Sequence, residues 1–320
     1  MFKVCDLKPV GYSPWKPSPL RAATTNAYFV TRLHEARRAL TESTEPTVAV
    51  AREYVDLLLV MVREWSMNRS SIVGDDDDDG HEHEHEPILE FCWSEDGVVI
   101  KTSCVRAELV MAVQMLTQLL LRPATDPETT PKDWELAVRL QLWVVRPQLM
   151  AAAYMPAEAA SCGMMAHKTL MAMGILRLQV AVIHQWESKG LAGNTVARLL
   201  CWAAGTAKRL ERLRPQDAGM KAMAAELEAL LWFHTAKAAA KGAQKEKLLS
   251  EARDAFLLLR HAERAAQCER LMDEIAPRSD ESPARIVQAC VTPKCVVLDH
   301  APLGDMYLPP EEMVRLWKSV

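Results

Sequence analysis

Glycine is scarce in this chain, with 12 in 320 residues, and phenylalanine and tyrosine supply five residues each. So few glycines leave little backbone for phosphate-cradling turns. The chain holds no G-x-x-x-x-G-K-[ST], G-x-G-x-x-G or G-x-S-x-G, which removes P-loop, dinucleotide-binding and nucleophile-elbow chemistry. It has eight cysteines but no Cys-x-x-Cys pair, and several fall inside helical patterns, so they read as reduced, small, apolar side chains. The opening MFKVCDLKPVGYSPWKPSPL lacks a signal-peptide core, and no window looks apolar enough for a membrane span. The expectation is a soluble intracellular chain.

What is present is helical and unevenly charged. Lys and Arg number 38 against 42 Asp and Glu, but eight of the acids sit in Asp75–Asp79, Glu82, Glu84 and Glu86. Without them the balance is 38 to 34, a mildly basic body too weakly charged to argue for nucleic acid. Tyr54, Leu57, Leu58, Met61 and Trp65 recur at three- and four-residue steps and predict a helical stretch over 25–72. ILEFCWSEDGVVI reads as a short β-prone patch with a turn at Glu95-Asp96-Gly97. Thr102-Ser103 is placed to cap a helix running to Leu121, and a further helix begins near Lys132 and breaks or kinks at Pro147.

Between Ala157 and Ile275 the only proline is Pro215, and helices are predicted over 157–188, 193–214, 217–241 and 244–274. Leu248, Ala252, Ala255, Leu259, Ala262 and Ala266 would form one packing stripe along the last. The proline-rich tail from Pro277 is expected to be extended. Strand–helix alternation is absent, so the fold class is mainly α, a helical solenoid or extended bundle with a small β patch in the N-terminal third. No 34-residue repeat is evident.

The run DDDDDGHEHEHE matches two metal motifs at once: a calcium loop through Asp75, Asp77, Asp79, Gly80 and Glu86, and H-E-x-x-H through His81, Glu82 and His85. A homopolymeric run satisfies such patterns by chance. Its charged neighbours and the immediate Pro87 suit neither site, so 74–86 is expected to be a solvated, disordered insertion, with divalent-metal binding as an alternative function. His34, His167, His184, His234, His261 and His300 are dispersed, none pairs with a nucleophile, and each reads as a surface or polar-edge residue. Met164, Met165, Met171 and Met173 crowd the start of one helix, as core filler or an adaptable groove. No catalytic residue, cofactor or specific metal site is expected.

Four stretches in order carry a resemblance: PLRAATTNAYF with EYVDLLLVMVREW, ILEFCWSED with ELVMAVQMLTQLL, LQVAVIHQWESKGLAGNTVARLLCWAAGTAKRL, and the Trp232 helix with KEKLLSEARDAFLLLRHAERA and KCVVLDHAP. Together they resemble the Bro-one domain family of ESCRT-associated adaptors, with Phe91, Trp93 and Asp96 or Glu95 at the family's F-x-W-x-D strand. The resemblance implies one domain over 1–320, a boomerang-like solenoid with a tetratricopeptide-like core and no enzymatic activity. It also implies a hydrophobic patch that receives the amphipathic C-terminal helix of an ESCRT-III subunit of the Snf-seven type. The chain would act in endosomal sorting or membrane remodelling, cytoplasmic or at endosomes, reaching membranes through partners.

Carried over residue by residue, the implied patch comprises Val182, Thr195, Leu199 and the adjacent Val196, with Trp143 or Val144 from the preceding helix. Val182 stands where a large aromatic is common, Thr195 where an aliphatic residue is usual, and Pro147 in an aromatic position. A divergent scaffold with a non-ESCRT partner therefore stands as the alternative. The end Leu316–Val320 has no cysteine four from the end, so no lipid anchor is expected.

Overall fold

The computed structural model describes residues 8–9, 27–70, 91–95, 98–102, 104–121, 130–145, 162–190, 193–239, 243–275, 295, 311 and 315. The 74–86 run, Pro147, His300 and nearly all of the tail from Pro277 lie outside them. Among the described residues the fold is mainly α with one small antiparallel sheet, in agreement with the expected class.

Contacts divide the chain into two compact units: Lys3–Arg122, Leu136–Met171 and Leu303–Val320 in one, and Met1–Phe2, Pro123–Glu135 and Ala172–Pro302 in the other. In the first, β1 (Lys8–Pro9), β2 (Phe91–Glu95) and β3 (Val98–Thr102) form a sheet of order β1-β2-β3. Glu95 pairs with Val98 and Phe91 with Thr102, a hairpin register that leaves only Asp96 and Gly97 between the strands. Alternation puts Phe91, Trp93 and Ile100 on the buried face; the sheet meets α1 (Ala27–Glu42) and α3 (Val105–Leu120), and α2 (Val48–Ser70) packs on both of these helices.

The single helical stretch predicted over 25–72 is two helices. Pro46 cannot sit inside a helix, and the Thr47 hydroxyl accepts from the Val50 amide at 3.4 Å to start α2. Tyr54, Leu57, Leu58 and Met61 are fully buried as the periodicity required. At α3 the cap position is Cys104, and Thr102 Oγ1 accepts from the Cys104 amide at 3.1 Å. Pro131 opens α4 (Pro131–Val144), with Asp133 accepting from the Thr130 amide and hydroxyl at 2.7 Å each.

α5 is Met164–Ser188, and α4 and α5 each contribute residues to both units. By length and composition α5 can cross a membrane, contrary to the sequence expectation. Half of its apolar window is buried inside the protein, however, and His167, Arg177 and Gln179 on it are buried too, so it reads as a core helix. Met173 is buried, Met164 and Met171 are half-buried, and Met165 is exposed.

The second unit stacks successive helices: α6 (Gly193–Leu213) on α7 (Ala218–Ala238), α7 on α8 (Ala243–Leu258), and α8 on α9 (Ala262–Asp273). The Asp217 carboxylate caps α7 by accepting from the Met220 amide at 3.0 Å, and Phe233 meets Phe256 edge-on at 6.3 Å between α7 and α8.

The predicted helix 244–274 is in fact α8 and α9. Arg260 has φ 62°, its amide donates to the Leu257 carbonyl at 3.0 Å, and the His261 amide donates to the Phe256 carbonyl at 2.8 Å. This is a Schellman ending with arginine in the position glycine usually takes. The turn shifts the helical phase, so the predicted stripe does not cross it. Ala262 and Ala266 are exposed, and Leu249, Ala252, Phe256, Ala265 and Cys268 are buried instead.

Candidate functional site

α6 explains where most of the predicted patch residues fall. One side is continuously apolar: Val196, Ala197, Leu199, Leu200, Ala203, Ala204, Ala207 and Leu210 are all buried. Leu199 and Val196 are each 0% exposed. As they stand they offer no surface to a docked helix, because a 3.6-residue period directs both to the core side. Thr195 is exposed at the start of α6, and Val182 on α5 is half-buried. Trp143, half-buried, and Val144, fully buried, belong to the other unit.

The outward side of α6 carries Asn194, Arg198, Cys201, Trp202, Gly205, Lys208, Arg209 and Arg212, four cations without an acid among them. Lys208 pairs with Glu228 on α7, and Arg209 Nη2 donates to Thr206 Oγ1 at 3.3 Å. Gly205 is exposed, and a Cβ added there would meet nothing within 4 Å.

Three polar clusters are buried or nearly so. Around Glu108 on α3, Oε2 accepts from Trp93 Nε1 at 2.5 Å, and Oε1 accepts from Tyr54 and Arg37. The Arg37 guanidinium also donates to the Cys92 carbonyl at 3.2 Å and lies 5.1 Å from the Phe91 ring centroid. Burial pushes the Glu108 carboxyl up from its usual range, while Arg37, Trp93 and Tyr54 pull the other way. Burial alone would lower Arg37; Glu108 and Tyr54 reverse this and hold it above the ordinary arginine value. The cluster ties α1, α2, α3 and β2 together.

The second cluster centres on His167, whose Nδ1 lies 2.7 Å from Gln141 Oε1 and Nε2 3.0 Å from the Cys162 carbonyl. Gln141 reaches Thr117 Oγ1 at 2.7 Å. Burial lowers the His167 pKa to about 4 against the opposing pull of the Cys162 carbonyl, so the ring is neutral at pH 7.

In the third, Glu187 at the end of α5 accepts from His234 Nε2 on α7 at 2.6 Å and from Arg264 on α9 at 3.3 and 3.5 Å, and meets His184 Nδ1 at 3.3 Å. Burial alone would raise the Glu187 pKa. Hydrogen bonds from His184, His234 and Arg264 reverse it and hold the carboxylate well below its usual range.

His167 and His234 are therefore core residues rather than the surface histidines expected: both ring nitrogens of His167 have partners, while His234 uses Nε2 on Glu187 and its Nδ1 is buried without a hydrogen-bond partner among the described residues. None of the three clusters pairs a nucleophile with a base. Among the described residues no three His, Cys, Asp or Glu side chains are grouped to hold a metal. At Glu187 the Arg264 guanidinium already supplies positive charge. Cys162 and Cys268 are buried, no disulfide links the described cysteines, and burial raises the Cys268 thiol to about 11, away from nucleophilic use.

No protein-family model matches the chain, and no curated protein matches it. Solved structures do. A structure of ALIX in complex with the SIVmac239 PYKEVTEDL late domain superposes with TM-score 0.64 at 12% identity over 98% of this chain and 51% of that one. The chain thus spans about half of that ALIX chain. An ALIX BRO1–CHMP4C complex matches with TM-score 0.58 at 12% identity, covering 84% and 85% of the two chains. A Bro1 domain structure described as the basis of endosomal targeting matches with TM-score 0.64 at 6% identity over 99% and 95%. Helix order, the small N-terminal sheet and these superpositions together give the chain a Bro1-domain-like helical fold.

Proposed function

We propose that the chain is a non-enzymatic adaptor, one functional domain over 1–320, that binds the amphipathic C-terminal helix of an ESCRT-III subunit of the Snf-seven type. It would act in endosomal sorting or membrane remodelling from the cytoplasm or the endosome surface. The observation that carries this reading is the likeness over 84% of the chain to the BRO1 domain solved as a CHMP4C complex. The clusters around Glu108, His167 and Glu187 are consistent with it, since each uses its polar groups to join helices.

Of the six residues assigned to the patch, Val182 and Thr195 on α5 and α6 expose side chain within one unit, so they are the contact candidates there, with Val196 and Leu199 as the apolar floor behind them. Of the α4 pair, half-buried Trp143 is proposed as a contact, whereas Val144 is fully buried and, like Val196 and Leu199, presents no surface. The test is fluorescence anisotropy with a labelled Snf-seven-type C-terminal peptide and the full chain. Val182→Asp, which puts a charge where an apolar contact is proposed, is expected to weaken binding at least about tenfold without unfolding the chain. Equal affinity in a folded variant would remove Val182 from the site.

The burial of Val196 and Leu199 favours a second reading, a helical scaffold of the same fold with a non-ESCRT partner. Affinity purification that recovers stable partners but no ESCRT-III subunit supports that reading over the first.

A further inference from the structure

A sheet edge presents alternate N–H and C=O groups to whatever lies beside it, and folds blunt such edges with proline, charge or very short strands. The sheet of the first unit blunts one edge in this way: β1 is only Lys8 and Pro9, and proline has no N–H to give. β3 is the outer strand on the other side among the described residues, and it carries Val98, Val99 and Ile100 in succession. Val98 is 53% exposed and Val99 57%. The two-residue turn makes Glu95 and Val98 a hydrogen-bonded pair. The backbone groups of Val98, Ile100 and Thr102 therefore turn toward β2, and those of Val99 turn outward. Among the described residues the Val99 N–H and C=O take no partner.

We propose that the β3 edge is a docking site for an extended peptide segment of a partner protein, added to the sheet as a further antiparallel strand. An outward N–H and C=O on a strand edge are answered together by another extended backbone; a helix has spent its own backbone groups, and a bilayer offers none. A strand of this length spans about 17 Å, so pairing two copies edge to edge covers far less than the roughly 1,200 Å² of a stable dimer. Side chains set the kind of peptide. Val99 shares the solvent face with Ser94, Cys92 and exposed Lys101, so the fitting segment carries a β-branched residue beside Val99 and an acid beside Lys101. The sheet belongs to the first unit and Val182 and Thr195 to the second, and the site does not depend on the ESCRT-III reading.

The test uses the full chain and a fluorescein-labelled peptide, Thr-Glu-Thr-Val-Thr-Val-Thr, whose central valine and preceding glutamate meet Val99 and Lys101 in an antiparallel pair. The same peptide N-methylated at the central valine and phosphatidylserine–phosphatidylcholine vesicles are the controls. The plain peptide is expected to bind and to slow exchange of the Val99 amide, and the methylated one to bind at least about tenfold more weakly. Val99→Pro removes the outward N–H without breaking a β2–β3 hydrogen bond, so the melting temperature is expected to hold while binding falls at least about tenfold. The methylated peptide puts the same question to the natural chain should that variant fail to fold. The proposal is overturned if the plain peptide does not bind, if methylation or a folded Val99→Pro leaves the affinity unchanged, or if vesicles alone capture the protein. Sedimentation that shows a dimer of the chain dispersed by Val99→Pro overturns it too, since the edge then belongs to a second copy.

Discussion

His167 faces two acceptors with an imidazole that, neutral, has one N–H to give. The chain of contacts closes if Nε2–H donates to the Cys162 carbonyl, the Gln141 amide turns its NH₂ to Nδ1, and the Thr117 hydroxyl turns from the Val113 carbonyl to Gln141. Protonation adds a buried charge. The folded-state pKa of about 4 lies below the ordinary histidine value of 6.5, so the unfolded chain binds more protons between these values. The stability held by neutral His167 is therefore complete above about pH 6.5 and falls as pH drops toward 4, by up to about 3 kcal/mol. His167→Gln, which does not titrate, should flatten the difference in urea stability between pH 7 and pH 4.5; an unchanged pH slope would show that His167 is not the titrating group. None of this was readable from the sequence, where His167 is one of several scattered histidines. Its neutral state follows from burial beside Gln141 and Thr117, residues 26 and 50 positions away. Leu199 is the converse case: its apolar character was legible, but the side of α6 it takes was settled by packing. Leu199→Ala should cost about 2–5 kcal/mol of folding stability, measured by chemical denaturation, as a core deletion does.

Helices α6 and α7 were legible to within a few residues, because apolar periodicity and terminal signals coincide at Gly193, Pro215 and Asp217. Boundaries set by backbone conformation alone were harder to see. The α8–α9 junction has neither proline nor glycine, and Leu257 to Leu259 continue the apolar run through it. What ends α8 is the left-handed Arg260, with His261 lying 6.3 Å from Phe256 ring to ring over the turn. Glycine adopts that conformation without the Cβ penalty, so Arg260→Gly should raise stability by about 0.5–1 kcal/mol with the helix content by circular dichroism unchanged. A destabilised variant would mean that the arginine side chain contributes more than its backbone geometry costs. The hairpin was the clearer case: Asp96-Gly97 between two β-prone runs announced it, and the β2–β3 register agrees.

At the scale of the whole molecule, feature order carried the fold where individual motifs did not. Identities of 6–12% accompany superpositions over 84–99% of the chain, because a helical scaffold is specified by where apolar stripes begin and end more than by which residues fill them. The partner surface does not share that tolerance. The proposed patch would have to present particular side chains outward, and α6 turns two of its three patch residues, Val196 and Leu199, inward. Hydrogen exchange on the full chain, with and without an excess of a Snf-seven-type C-terminal peptide, bears most directly on the proposed adaptor role. Slower exchange concentrated on the C-terminal half of α5 and the first turns of α6 is the predicted result. Unchanged exchange throughout, at peptide concentrations that saturate an ALIX BRO1 domain measured in parallel, would contradict it.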